Sequence, residues 1–329
     1  MKKIFIAMMA MAAFAACATE DTIVTPKGQA IAFGDAFVDN ATKAIYENGA
    51  VPTEFKVWGN VAGKVAQGEE QNFVALYGED GATVTGSGVN KVYTCNVVRY
   101  WTPSCNFNFA AIVNGLAKTV ENGLPTLISY TANGDDDLLY AAATAETNAS
   151  GAPSGTIATV SDKSVVAFTF KHLLSRVAVK FTNKSASADY TYTVKDIQIS
   201  NAYASGDYTI ASETWSGTGA MTTPLTFSAI TTAIAQNATV AATGAYVIIP
   251  GTPALSISFT AEVVFGGQVI STKPYTKTLN TDAESAADDF TFAKNTAYSF
   301  NVELPTPGEE IKFSITTVDN FGTGSDVTV

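Results

Sequence analysis

Between Val165 and Asn183 the chain reads VVAFTFKHLLSRVAVKFTN. Val166, Phe168, Phe170 and Leu174 share one parity; Val177, Val179 and Phe181 share the other. Successive side chains of a strand point to opposite faces, so the alternation predicts half-buried strand. The change of parity between His172 and Arg176 requires a bulge or a short turn there. Ala141 to Ser161, just before it, is mostly Ala, Thr, Ser and Gly and reads as an interdomain connection or long surface loop. Val165 is therefore expected in the opening strand of a second domain.

The same two-residue period recurs along the chain. Ile31, Phe33 and Phe37 predict a first strand. Phe55, Val57 and Val61 predict another, with Trp58 on its opposite face, and Phe73–Tyr77, Val97–Trp101 and Phe107–Val113 add more. Further on, Tyr190, Tyr192 and Val194 give way to Ile197 and Ile199 on the other parity, which asks for a second bulge. Leu255 to Phe265 alternates without interruption into Gly266-Gly267, a hairpin signal. Tyr298, Phe300, Val302 and Leu304 follow. After Pro305-Thr-Pro307-Gly308, Ile311, Phe313 and Ile315 alternate with Lys312, Ser314 and Thr316. That last strand hangs on a proline-rich link, and its plainest partner is its own sheet. Helical periodicity is missing from every long stretch; only Thr281–Asp289 suggests a short helix. The chain is predicted to be all-β, with a first domain over residues 17–161 and a second over 162–329 whose strands specify a two-sheet sandwich.

Charge and rare residues narrow the chemistry. A net charge of −11 and a pI near 4.6 leave no basic surface to meet phosphates, which argues against nucleic acid. His172 is the only histidine, and no Ser-His-Asp order, phosphate-cradling loop or paired carboxylates can be placed, so enzymatic activity and a cofactor are not expected. His172 reads as a hydrogen-bonded structural residue. No metal site is expected either, because the cysteine spacing fits no zinc pattern. Asp135–Asp137 lacks the ligand spacing of a calcium loop and reads as a solvated turn. Cys95 and Cys105 flank a turn-like region; a disulfide and two separate thiols are both compatible with the spacing.

Residues 1–16 read as a signal peptide: Lys2 and Lys3, an apolar run from Ile4 to Phe14, then Ala15 and Ala16. The apolar run is too short for a permanent span. Cys17 directly after Phe-Ala-Ala resembles the lipobox of bacterial lipoproteins, whose cysteine is acylated and holds the protein at a membrane; a plain secretory signal with an incidental cysteine is the alternative. Lys43, followed by Ala44 in a polar stretch, suits trypsin-like cleavage, although an ordinary surface lysine is the plainer reading.

Phe55-Lys-Val-Trp-Gly59; Arg99-Tyr-Trp-Thr-Pro103 with Phe107 and Phe109; Asp137-Leu-Leu-Tyr-Ala141; Phe170-Lys-His-Leu-Leu-Ser-Arg-Val177; Tyr246-Val-Ile-Ile-Pro250; and Asn295-Thr-Ala-Tyr298 together resemble the fimbrillin family of Bacteroidetes, the type V pilins and related surface lipoproteins. The resemblance implies two transthyretin-like sandwich domains, export as a lipoprotein and exposure on the outer membrane. In pilin members a protease removes the first strand after a basic residue, usually arginine, and a strand from another subunit fills the groove. Lys43 stands where that arginine is expected. Ile31, Phe33 and Phe37 would then belong to the vacated strand, and Ile311, Phe313 and Ile315 to a candidate donor. The implied partners are other pilin subunits, the processing protease and the outer membrane, with fibres that support adhesion to a host or bacterial surface. The alternative is a monomeric surface adhesin that grips glycan or protein through exposed aromatics such as Trp101, Trp215 or Tyr203.

Overall fold

The computed structural model of the protein describes residues 29–38, 52–66, 69–87, 92–154, 165–244, 246–279 and 291–318. The segment 1–16 expected to be a signal peptide, Cys17, Lys43, Ala44 and the segment 281–289 lie outside them. Among the described residues there are strands and no α-helix. The first half holds β1 (Ala32–Val38), β2 (Glu54–Gly63), β3 (Val74–Ala75), β4 (Ala82–Ser87), β5 (Val92–Cys95), β6 (Cys105–Val113), β7 (Leu116–Glu121), β8 (Leu124–Thr131), β9 (Leu139–Thr147) and β10 (Pro153–Ser154). Next come β11 (Val165–His172), β12 (Ser175–Asn183), β13 (Tyr190–Ser200), β14 (Tyr203–Thr209), β15 (Thr214–Ala220) and β16 (Leu225–Thr226). The remainder are β17 (Ile230–Ile234), β18 (Thr239–Ala241), β19 (Tyr246–Ile248), β20 (Ser256–Phe265), β21 (Gln268–Thr278), β22 (Thr296–Leu304) and β23 (Lys312–Val318).

A nine-stranded sheet runs β1-β11-β9-β6-β2-β4-β5, with β10 on β9 and β3 on β2. Its inward residues, among them Phe55, Val57, Phe107, Phe109, Val166, Phe168 and Phe170, form the first core. A second core lies between the sheet β18-β12-β22-β23 and the sheet β16-β13-β20-β21. The fourth sheet, β15-β14-β8-β7, takes two strands from each half of the chain. It packs on the outer face of the first sheet, where Trp58 and Ile112 meet Ile128, Tyr130 and Tyr208. Alternation explains how β2 and β6 can serve the first core and the layer beneath the fourth sheet: Val57 and Ala111 face one way, Trp58 and Ile112 the other. The halves are thus stitched together by a shared sheet.

The parity change after Val165 is a change of sheet. β11 pairs with β1 and β9 and buries Val166, Phe168 and Phe170 in the first core; after Leu173 and Leu174, β12 buries Val177, Val179 and Phe181 in the second. The expected start of a second domain at residue 162 therefore precedes a strand that packs with the first core, and the crossing falls at Leu173–Leu174. Ala141–Ser161 also differs from its reading as a connection. Its first part is β9, an interior strand between β11 and β6. Ala141 and Ala145 face the core there, and the methyl groups suffice because Phe107, Phe109 and Trp101 fill the volume. Val97–Trp101 is not a strand and makes only an isolated bridge, Tyr100 to Ala30. The second bulge is present: the β13–β20 register shifts between Lys195 and Gln198, with Asp196 at φ 54°. Gly266 and Gly267, both at positive φ, close the β20–β21 hairpin as their sequence signals.

Candidate strand-exchange site

β1 is the outermost strand of the first sheet and runs parallel to β11, with Ala32 opposite Val165, Phe33 opposite Val166 and Gly34 opposite Ala167. The register slips before Phe37, which lies opposite Thr169. On the amino-terminal side the amide of Ile31 donates to the carbonyl of Arg99 (2.8 Å), and the amide of Trp101 donates to the carbonyl of Gln29 (3.0 Å). Hydrogen bonding to one strand and one short bridge is a light attachment for an element that carries core residues.

The side chains tell the other half of the story. Ile31 and Phe33 are 6% and 4% exposed. The Phe33 ring stacks on Phe168 at 5.9 Å and meets the edge of Phe109 at 6.1 Å. Phe168 in turn packs against Phe55, and Phe109 against Trp101 and Phe107. Gly59 makes room for this wall, since a Cβ there would come 2.8 Å from Cδ1 of Phe109. Burial of two such side chains contributes roughly 3–6 kcal/mol. Without β1 the first core would present an apolar groove along an unpaired edge of β11. The sequence names Ile31 and Phe33 as part of this site. The groove residues Phe109 and Phe168 were legible only as strand residues, because their meeting depends on pairing between distant segments.

β23 is the outermost strand of its own sheet, antiparallel to β22 from Ala297–Val318 to Glu303–Lys312. Ile311, Phe313 and Ile315 are half-buried against the second core, with Phe313 at 6.1 Å from Phe259. The candidate donor thus lies in its own sheet, where its sequence placed it most simply, and is less deeply buried than β1.

Where the two cores meet, the residues that carry the family resemblance converge. Leu138, Leu173, Leu174, Val247 and Ile249 pack together with Trp58. The amide of Leu173 donates to the carbonyl of Leu138 (3.0 Å), the amide of Asn295 to that of Leu174 (2.9 Å) and the indole of Trp215 to that of Leu173 (2.7 Å). Here Asp137 departs from its reading as part of a solvated turn. Asp135 and Asp136 are exposed, but Asp137 is buried and its Oδ2 is hydrogen-bonded to Nδ1 of His172. Burial pushes its carboxyl above the usual carboxylate range, and the hydrogen bond and charge of His172 pull in the opposite direction. His172 has the hydrogen-bonded, structural setting read from the sequence.

Of the two arrangements left open for the cysteines the structure takes one, and the reading of the exposed aromatics changes. Cys95 and Cys105 are separate thiols. Through the sheet registers Cys95 aligns with Phe55 and Cys105 with Gly63, at opposite ends of β2, whereas a disulfide needs Cα atoms within about 7 Å. Trp101 is 1% exposed, while Trp215 and Tyr203 are half-buried, so the aromatics expected to grip a ligand serve packing.

No curated protein matches the chain. Among solved structures it is similar to a fimbrial protein from Bacteroides vulgatus, at 15% identity and a TM-score of 0.53, over 88% of this chain and 99% of that one. Likeness extends to a candidate cell adhesion protein from Bacteroides uniformis, at 17% identity and a TM-score of 0.43 over 89% and 99% of the two chains. A further one from Bacteroides ovatus gives 15% and 0.43 over 91% and 99%. The family model described as fimbrillin-like matches residues 53–319, a span that takes in β2 to β23 and leaves β1 outside. With that match running through both cores, the chain belongs to the fimbrillin-like family.

Proposed function

We propose that the chain is a structural fimbrial subunit, exported as a lipoprotein acylated at Cys17 and polymerised on the outer membrane by protease-triggered strand exchange. A trypsin-like protease cuts between Lys43 and Ala44, β1 leaves, and a strand of another subunit enters the groove. The resulting fibre supports adhesion. One observation carries this reading: β1 holds core side chains, yet it is an edge strand with a single strand partner. An incoming strand satisfies both deficits at once, completing the ladder with its backbone and the core with alternate side chains. The reading as a monomeric adhesin loses one of its three named aromatics with the burial of Trp101.

Purified full-length protein incubated with a trypsin-like protease is expected to form ladders on gels in mild detergent without heating, and to collapse to monomers on boiling. Protein nicked near Lys43 that stays monomeric at high concentration would sink the proposal. The anchor is tested separately. A Cys17→Ala variant is expected to leave the outer-membrane fraction and appear as soluble periplasmic protein. If it still sediments with the outer membrane, acylation is not what holds it there.

A further inference from the structure

Large apolar side chains left in water gather at two places on this molecule. Among the described residues, Val65, Val74, Val98 and Tyr100 are exposed around the first core, and Phe265, Val269 and Ile270 on the β20–β21 hairpin; only Leu116 stands elsewhere. The sheet registers locate both groups. In the first sheet Val113 pairs with Leu139 and Leu139 with His172, next to the crossing at Leu173–Leu174, while Gly63 and Cys105 pair at the other end. Val65 follows Gly63, and Val74 lies opposite Val61 in the same stretch of β2. Tyr100 bridges Ala30, and the Arg99 side chain, between Val98 and Tyr100, donates to the carbonyl of Leu76. In the second half β12 starts at Ser175 beside the crossing and ends at Asn183, whose side-chain amide donates to the carbonyl of Tyr190 (2.9 Å). Tyr190 lies opposite Phe265, with the two rings 5.1 Å apart. Each group thus sits at the end of its own core remote from the crossing. Single exposed apolar residues are ordinary; groups of them at the two ends ask for a cover.

We infer that these groups are the two halves of one contact between successive copies of this chain: the β20–β21 hairpin of one subunit seats against Val65, Val74, Val98 and Tyr100 of the next. The inference rests on the fibre reading above and adds to it a docking surface that the exchanged strand does not supply. Charge selects this pairing over others. Glu69 and Glu70 are exposed between Val65 and Val74, and the amide of Glu69 donates to the carbonyl of Ala66 (3.1 Å). β21 carries Lys273 and Lys277 and no carboxylate, in a chain whose net charge is −11. Two hairpins meeting each other, or two first-core ends, would bring like charges together; a hairpin meeting the other end brings opposite charges together. Unlike patches at different ends also make a heterologous contact, which repeats into a filament. Position agrees with charge. The link to β23 leaves from Leu304, opposite Asn183 at the hairpin's end of the second core, and β1 starts beside the bridge to Tyr100. A strand handed from one subunit to the next draws these two ends towards each other. The patches hold far fewer than the roughly 20–30 residues a side of a stable complex, so the contact is weak between free monomers and is made effective by the tether of the shared strand.

Assembly rates test the contact. Full-length protein carrying Val269→Ser with Ile270→Ser, nicked with a trypsin-like protease, is expected to build its ladder roughly tenfold more slowly than the unsubstituted protein. Its circular dichroism should be unchanged, because both side chains are already in water in the monomer. Val98→Ser with Tyr100→Ser is expected to do the same from the other side. Charge reversal then asks whether the two ends face each other. Glu69→Lys with Glu70→Lys, and separately Lys273→Glu, are expected to slow assembly, and the triple variant to recover most of the rate. Ladders at the unsubstituted rate from both serine variants overturn the inference and leave strand exchange standing. Losses that simply add in the triple variant overturn the pairing of hairpin with first-core end. A dimer of un-nicked protein that only the hairpin substitutions dissolve makes the hairpin its own partner and overturns the inference as well. Absence of any ladder from the unsubstituted protein brings down the fibre reading and this contact with it.

Discussion

Replacing Asp137 with alanine is expected to destabilise the protein by about 3–5 kcal/mol, the cost of removing one member of a buried charged or strongly polar pair. The expectation comes from position as much as chemistry. Asp137 and His172 are both almost fully buried, and they fasten the end of β11 to the chain entering β9. The main-chain carbonyl of Asp137 also accepts from the side-chain amide of Asn114 at 3.0 Å, so the residue is held from a second side. Alanine takes away the carboxylate that Nδ1 faces and opens space in a packed region. Asp137→Asn keeps an oxygen acceptor of the same size and is expected to lose only about 1 kcal/mol. Urea unfolding of the three proteins at equal m-value is the measurement. A loss below 1 kcal/mol for the alanine variant would show that the pair does not hold this junction.

Deleting Ile311 to Val329 is expected to abolish polymerisation outright and still leave a folded monomer. The removed strand is an edge strand whose three apolar side chains are half-buried, so the loss of stability is expected to be about 2–4 kcal/mol. Circular dichroism confirms the fold, urea unfolding gives the loss, and unheated gels after protease treatment report the polymer. Mixed with nicked intact protein, the deleted form after nicking is expected to cap chains, since it retains a groove and lacks a donor. Ladders of normal length from the deleted protein alone would assign the donor role to another segment.

Much of this architecture is legible in the residues. The period of two along Val166–Phe170, Val177–Phe181, Leu255–Val263 and Tyr298–Leu304 picks out strands and their buried faces. The switch of parity at Tyr192–Ile199 signals a bulge that the structure places at Asp196. What alternation does not say is which sheet a face belongs to. Val165 pairs with Ala32, a partner far away in sequence, so nothing local assigns β11 to the first core. β9 was hidden for a different reason: alanine is a poor strand signal alone, and its fitness as strand depends on the aromatic rings opposite. Asp137 was hidden by its neighbours, because three consecutive aspartates look like solvent-facing turn whichever of them turns inward. Its distant partner His172 is what makes burial tolerable.

The crossing at Leu173–Leu174 bears on how a fibre would carry load. A tug on a strand lodged beside β11 passes through two residues to the start of β12, which runs parallel to β22 from Ser175–Thr296 to Asn183–Leu304. The other end of the load leaves from Leu304 towards β23, at the far end of that same pair. Hauling opposite ends of parallel neighbours slides one along the other, so their evenly spaced hydrogen bonds must give way together. Such a subunit yields to tension by shear and not by unzipping, and its rupture under flow is governed by a slow unfolding rate.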